Sequence, residues 1–478
     1  MVKKSNGQMV KLSNCQIVKK VKNQINRFDK IVNFAACCFL FQKNQKMENY
    51  SLQSNGLKNI KFRLIVMNFL QFAVWGAYLT CMGTYLAGHG LASKIGLFYS
   101  VQGIVSIFMP ALMGIIADRW IPAQKTLGLC HLISGVAMIA AGFYGLQAGD
   151  TVQFGKLFAL YTVGVAFYMP TLALSNSVAY NALDKAGLDT VKTFPPIRVF
   201  GTIGFIVSMW CVDLLGFQPT ASQFLVSGCI GVVLAAYAFT LPMCPISTVG
   251  GKSFVDALGL RAFSLFKEKR MALFFIFSML LGVSLQITNG FANPYITSFG
   301  DMPEFAGTFG VEHANILISL SQVSETLCIL LIPFFLKRYG VKKVMLIAMF
   351  AWVLRFAFFG LGNPGGGVWL FVLSCIVYGV AFDFFNISGS LFVDKETDTG
   401  IRSSAQGLFF LMTNGIGATI GTLGAQAVIN NYVYSQTDAV ARTAGWQSSW
   451  YVFAAYALVV AIVFAIVFKY KHTSETSK

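Results

Sequence analysis

Two carboxylates and two guanidinium groups stand inside otherwise apolar stretches of this 478-residue sequence. Asp383 lies in "IVYGVAFDFFNISGSLF" and Glu325 in "ISLSQVSETLCIL", while Arg355 and Arg198 occupy two further stretches. A charged side chain at the centre of a lipid-spanning helix costs about 2.5–3.5 kcal/mol on insertion scales, so each of these is a functional candidate. Asp383 sits fifteen residues into its apolar run. In an apolar, intermittently wetted cavity the ionised form of a carboxylate is disfavoured. Such an acid can take a proton on one side of a membrane and release it on the other. A solute that binds only the protonated form then travels with the proton. For both acids, an ion pair with Arg355 or Arg198 is the purely structural alternative. Arg198, near the start of its span, can also reach the interface along its own stem.

Amides and rings accompany the acids. Gln322 and Glu325 are three residues apart, as are Gln286 and Asn289 in "SLQITNGF", so each pair shares one helix face. Tyr378, Phe382, Asp383 and Asn386 are expected along one side of a third helix. Amides and carboxylates bind hydroxyls while Phe and Tyr stack on a flat ring, so the set suits a ligand carrying both. Amides in membrane helices also serve simply to bond neighbouring helices.

The elements that must position these residues are legible in the hydropathy pattern. The chain is 56% hydrophobic and 12% charged, against about 25% charged for a soluble domain. Apolar runs near 20 residues, the length that spans a bilayer, fall at 64–87, 96–117, 126–146, 157–180, 196–216 and 222–243. They resume at 271–298, 313–336, 344–362, 368–391, 402–426 and 449–469. The expected organisation is a basic, disordered extension 1–46, a six-helix bundle 47–244, a linker 245–270 and a second six-helix bundle 271–478 with a short tail. With the N-terminus inside, cytoplasmic loops hold fifteen Lys and Arg and the opposite loops three, which places both termini in the cytoplasm. The halves echo one another. Arg119 and Arg338 close equivalent spans at an offset of 219, "GVAF" recurs at 164 and 379, and Arg198 and Arg402 precede equivalent spans. Two six-helix halves in the same orientation describe an all-α membrane protein of major facilitator architecture, with its site between the halves.

Other classes find little support. Net charge is +17, but +9 of it lies in residues 1–46, which lack nucleic-acid patterning; no nucleic-acid partner is expected. Those residues read as a basic arm, or as sequence upstream of a start at Met47. Ten Cys are scattered, mostly through apolar runs, with no metal-like spacing, and read as buried thiols. His89, His131, His313 and His472 form no ligand pattern, and no nucleophile motif or phosphate loop appears, so no metal and no enzyme activity are expected. The absence of a soluble signalling segment argues against a sensor.

From about Ile60 to His472 the chain resembles the nucleoside:proton symporter family of the major facilitator superfamily. The resemblance rests on "FLQFAVWGAYLT", "FMPALMGIIADRW", "FPPIRVFGTIGFI", "SLQITNGF", "ISLSQVSETLCILLIPFF" and "IVYGVAFDFFNISGSLFV". It implies a monomeric carrier in a bacterial cytoplasmic membrane that imports purine and pyrimidine nucleosides with protons, working by alternating access. The proton gradient replaces any cofactor. It also implies substrate contacts from Arg198, Thr202 and Phe205, from Gln286 and Asn289, from Gln322 and Glu325, and from Tyr378, Phe382 and Asn386. Asp383 is implied as the proton carrier, with Glu325 as a second titrating candidate. Two positions depart from the family pattern: Phe200 stands for a Trp, and Gly290 for a bulkier residue whose loss is expected to bear on base preference. A sugar or oligosaccharide symporter of the same fold is the alternative, separable by competition with ribose, lactose and uridine.

Sites that hydrogen-bond a hydroxyl strongly reject ligands that cannot reciprocate. Gln322→Ala is therefore expected to weaken uridine uptake far more than it lowers the amount of protein inserted in the membrane. Equal loss of both, measured on the same vesicles, would remove Gln322 from the site.

Overall fold

A computed structural model describes residues 59–246, 260–398 and 401–470. The basic extension 1–46, Met47 and residues 247–259 of the expected linker lie outside it. Among the described residues there is no β-strand. The first half runs α1 (Ile60–Gly76), α2 (Met82–Gly88), α3 (Ile95–Arg119), α4 (Ala123–Ala148), α5 (Phe154–Lys185), α6 (Thr190–Leu214) and α7 (Ser222–Ala238). The second half runs α8 (Lys269–Ser298), α9 (Ala314–Leu361), α10 (Val368–Glu396), α11 (Arg402–Phe410), α12 (Ala418–Ile429) and α13 (Ala439–Val467). Nine helical segments among the described residues are long and apolar enough to cross a membrane.

Each of the twelve expected spans falls on helix, but four are not the simple rods the hydropathy suggests. The first is split into α1 and α2 by residues 77–81. In lipid a freed backbone carbonyl must find a donor, and the Leu79 carbonyl accepts from the Tyr99 hydroxyl. The eighth and ninth spans form one 48-residue run, α9, interrupted at Gly340 (φ 74°, ψ 166°). At 1.5 Å per residue a straight helix of that length would reach about 72 Å, over twice a bilayer core. Glycine adopts positive φ without a Cβ clash. The chain turns back there, since Arg355 Nη1 donates to Ser321 Oγ at 3.3 Å across 34 residues. The eleventh span holds a π-helical stretch, Leu411–Gly417, between α11 and α12.

Helices in lipid gain little from hydrophobic exclusion and associate by close packing, for which small residues are needed. The glycines show where. A Cβ on Gly204 would collide with the Phe69 carbonyl, and one on Gly76 with the Phe205 carbonyl, so α1 and α6 touch backbone to backbone. In the second half, a Cβ on Gly282 would strike the Thr413 carbonyl and one on Gly421 the Val283 carbonyl. The outer surface carries large apolar residues, such as Leu330 (75% exposed) and Ile466 (67%), as a lipid-facing surface requires. Aromatic rings fill the second half's interior; Trp450 stacks on Phe359 at 4.8 Å.

Gly204→Ala is expected to lower stability by about 1–3 kcal/mol through overpacking. Gly424, inside α12 with nothing within 4 Å of an added Cβ, is the control, and Gly424→Ala is expected to be neutral or slightly stabilising. Thermal unfolding of the purified protein in detergent reads both. A Gly204→Ala variant as stable as wild type would contradict the close approach.

Candidate substrate cavity

The close contact of α1 with α6 and the polar faces of α8, α9 and α10 enclose a cavity of about 170 Å³. From α6 come Arg198, Thr202 and Phe205, at spacings of three and four, with a Gly201–Gly204 surface on which α1 rests. From α8 come Gln286 and Asn289, from α9 Gln322 and Glu325, and from α10 Tyr378 and Phe382. Nine of the eleven residues singled out in the sequence therefore share one wall-to-wall space. Asp383 and Asn386 do not line it.

The separation of Phe382 from Asp383 follows from helix geometry. Consecutive residues are turned about 100°, so with Phe382 on the cavity wall Asp383 points toward α9. There it is buried, with Oδ2 lacking a hydrogen-bond partner among the described residues, and it interacts electrostatically with Glu325, Arg198 and Cys328. Asn386 donates to the Phe382 carbonyl at 3.1 Å and faces a small adjoining cavity with Thr413, Trp352 and Phe385. Gly290, expected to bear on base preference, also lies off the cavity; an added Cβ would rest on the Tyr99 ring at 3.3 Å.

The cations are held by rings and neutral acceptors. Among the described residues no direct ion pair joins Arg198 or Arg355 to Glu325 or Asp383. The Arg198 guanidinium lies 3.7 Å from the Phe72 ring centroid, a cation–π contact, and interacts with Glu325 at longer range. Arg355 is buried, donates to the Ser374 carbonyl at 2.8 Å, and lies 4.3 Å from the Tyr378 ring. Tyr378 in turn stacks on Phe382, 5.6 Å apart and 7° from parallel. Arg355, Tyr378 and Phe382 thus form one stack whose last ring faces the cavity. The Asn289 amide donates to Gln286 Oε1 at 3.0 Å, which leaves the Gln286 amide nitrogen and the Asn289 carbonyl oxygen for a ligand.

Five cavity residues were not singled out: Phe72, Trp75, Leu79, Leu285 and Asn414. Four are apolar or aromatic and look like lipid-facing residues in the sequence. Trp75 packs edge-on to Phe205 at 6.2 Å and donates to Gln102 Oε1 at 3.3 Å. Asn414 had a signal, a lone amide inside an apolar run. A second polar cluster also escaped notice. Asp213, at the end of α6, pairs with His313 and accepts from Gln218 at 2.8 Å and from the Ile316 amide at 3.2 Å. Asn293 bonds Gln218 at 3.0 Å and Asn315 at 2.9 Å, and Thr80 donates to Asn315 at 2.8 Å. The bonds of Asp213 to His313 and Ile316, of Asn293 to Gln218 and of Thr80 to Asn315, with Trp210 to Ser319 at 2.8 Å, tie the first half to the second at one end of the seam.

Comparison with known proteins gives the family. A family profile described as "Nucleoside H+ symporter" matches residues 58–473. The chain belongs to that family. It is 47% identical to the xanthosine permease of Escherichia coli over 88% of this chain and 98% of the relative. It is also 47% identical to the nucleoside permease NupG of Escherichia coli, over 87% and 97%. The crystal structure of NupG superposes with a TM-score of 0.78 at 46% identity, covering 86% of this chain and all of that one. The Escherichia coli xylose transporter XylE, at 13% identity and a TM-score of 0.59 over 86% of this chain and 96% of its own, shares the fold alone. The protein is thus a multi-pass membrane transporter of major facilitator fold, not an enzyme, and its family couples nucleosides to protons.

Phe72 is the ring that holds the free Arg198 guanidinium at the wall. Its loss is expected to cost about 0.5–2 kcal/mol of orientation. Phe72→Leu should raise the uridine concentration for half-maximal uptake about 2- to 30-fold. An unchanged value would mean that the ring does not place the guanidinium.

Proposed function

We propose that the protein imports purine and pyrimidine nucleosides with protons, binding them in the cavity between α1, α6, α8, α9 and α10. The observation that carries this reading is the joint lining by Phe205 and Phe382 beside Gln286, Asn289, Gln322 and Glu325. Two rings offer faces to a base, and the amides and carboxylate offer partners to hydroxyls and base edges. Arg198 balances Glu325 in the empty cavity, and Asn386 supports the wall behind Phe382.

Asp383 is the proton carrier. An ionised carboxylate buried without a partner is costly, and a proton on Oδ2 removes the charge. Glu325 shares the electrostatic environment of Asp383 and also lines the cavity, so substrate contact at one acid is felt at the other. Segments 47–244 and 271–478 act as the two rocking bundles and 245–270 as their linker. The protein works as a monomer in the bilayer of a bacterial cytoplasmic membrane with both termini inside. That orientation puts the Asp213–His313 cluster on the outer side, where it closes the seam while the inner side exchanges with the cytoplasm.

Proteoliposomes loaded at neutral pH and diluted into acid buffer test the reading. Wild type is expected to concentrate uridine and guanosine only with the gradient imposed, and not ribose or lactose. Asp383→Asn is expected to equilibrate uridine without concentrating it. A variant that accumulates uridine as well as wild type would remove Asp383 from coupling, and a wild type that moves no nucleoside would remove the function.

A further inference from the structure

The eleventh span carries the one cavity-lining amide that stands outside the three polar faces, and its backbone there is π-helical, from Leu411 to Gly417. A π turn is rare, appears mostly as a single wide turn, and recurs at functional sites. Here it is held from two sides. A Cβ on Gly282 of α8 would strike the Thr413 carbonyl, and one on Gly417 would strike the Met279 carbonyl. From α3, a Cβ on Gly103 would strike Thr419 Oγ1 and lie 2.8 Å from the Gly415 carbonyl. The backbone that presents Asn414 is thereby fixed against both halves.

Its amide is fixed as well. The Thr413 hydroxyl spends its proton on the Phe409 carbonyl at 2.9 Å, so its oxygen is left to accept. Asn414 Nδ2 donates to that oxygen at 2.9 Å. This directs Nδ2 to Thr413 and leaves Asn414 Oδ1 as an acceptor with no partner among the described residues. The neighbouring wall is apolar and aromatic. Leu285 and Phe382 line both the main cavity and the small cavity that Thr413 lines, so Asn414 sits where the two meet.

We propose that Asn414 Oδ1 is a specificity-determining acceptor that reads an N–H on the edge of the nucleobase stacked at Phe382. This deepens, and rests on, the reading of the cavity as a nucleoside site. An aromatic base belongs at the aromatic end of the cavity. The common bases all carry at least one N–H on their pairing edge, whereas ribose offers only hydroxyls. A single oriented acceptor there accepts purines and pyrimidines alike and rejects a base whose N–H is blocked.

Competition against labelled uridine uptake separates the outcomes, using 3-methyluridine, which lacks the N3–H, and 2′-deoxyuridine, which keeps it. Wild type is expected to prefer uridine over 3-methyluridine about tenfold or more, the cost of leaving a buried polar group unpaired. Asn414→Ala should reduce that preference to about twofold or less while leaving the uridine to 2′-deoxyuridine ratio unchanged. Thr413→Val, which keeps the shape but frees the amide to turn, should reduce it partway. If Asn414→Ala keeps the discrimination against 3-methyluridine, or alters only the deoxyribose ratio, Asn414 does not read the base. Such a result leaves the cavity assignment standing, since uridine is still taken up; only a wild type that transports no uridine overturns both.

Discussion

Carbonyl oxygens resting on glycine α-carbons set the geometry of this protein. Where Gly204 and Gly76 let α1 and α6 meet, Phe72 and Phe205 are brought to the same wall. Where Gly282, Gly417 and Gly421 let α8 lie on the eleventh span, Leu285 and Asn414 reach the cavity from adjacent elements. In lipid such contacts replace the hydrophobic gain that holds soluble helices together. They also fix side-chain positions more tightly than interlocking large residues would, because backbone has no rotamers to yield. The cavity is what remains between two such seams.

Irregular backbone gathers around the same space. The split between α1 and α2 exposes Leu79 to the cavity, and the π turn presents Asn414. Non-helical backbone at membrane depth is tolerated where it lines a cavity or is buried in protein, and Tyr99 supplies the donor that the Leu79 carbonyl lost. Polar side chains are likewise partitioned into two sets. One, around Glu325 and Gln322, keeps free acceptors and donors for a ligand. The other, around Asp213 and Asn315, is bonded to itself, with Asp213–His313, Asp213–Ile316, Asn293–Gln218 and Thr80–Asn315 crossing between the two halves. A carrier needs both kinds: groups that wait, and groups that exchange partners when the halves move.

The helical pairs were legible in the sequence because a three-residue spacing survives any helix rotation. Gln286 with Asn289, and Gln322 with Glu325, needed only the assumption of helix to share a face. The α10 stripe was read too broadly. Tyr378 and Phe382, four apart, do share a wall, whereas Asp383, a residue step round from Phe382, and Asn386, which faces the adjoining cavity, do not line it. The break at 77–81, the reversal at Gly340 and the π turn had no counterpart in hydropathy, which averages over a window longer than each of them. Prolines gave no guide either: Pro110, Pro170, Pro294 and Pro333 all lie inside helices, where neighbouring segments make good the lost backbone bond. Trp75 and Phe72 were hidden by composition, since a ring facing a cavity and a ring facing lipid are the same letter.

If Asp383 carries the proton as proposed, its displacement from the cavity wall bears on how coupling would be achieved. An acid in direct contact with substrate would make proton and nucleoside compete for the same oxygen. Off the wall that Phe382 lines, Asp383 remains within the field of Glu325 and Arg198, both of which line the cavity. A ligand that takes up hydrogen bonds of Glu325, or draws Arg198 off the Phe72 ring, changes the field at Asp383 without touching it. On that reading, binding and protonation are linked through charge rather than through a shared site. That linkage is reciprocal by thermodynamic necessity: whatever a bound nucleoside does for the proton, the proton does for the nucleoside.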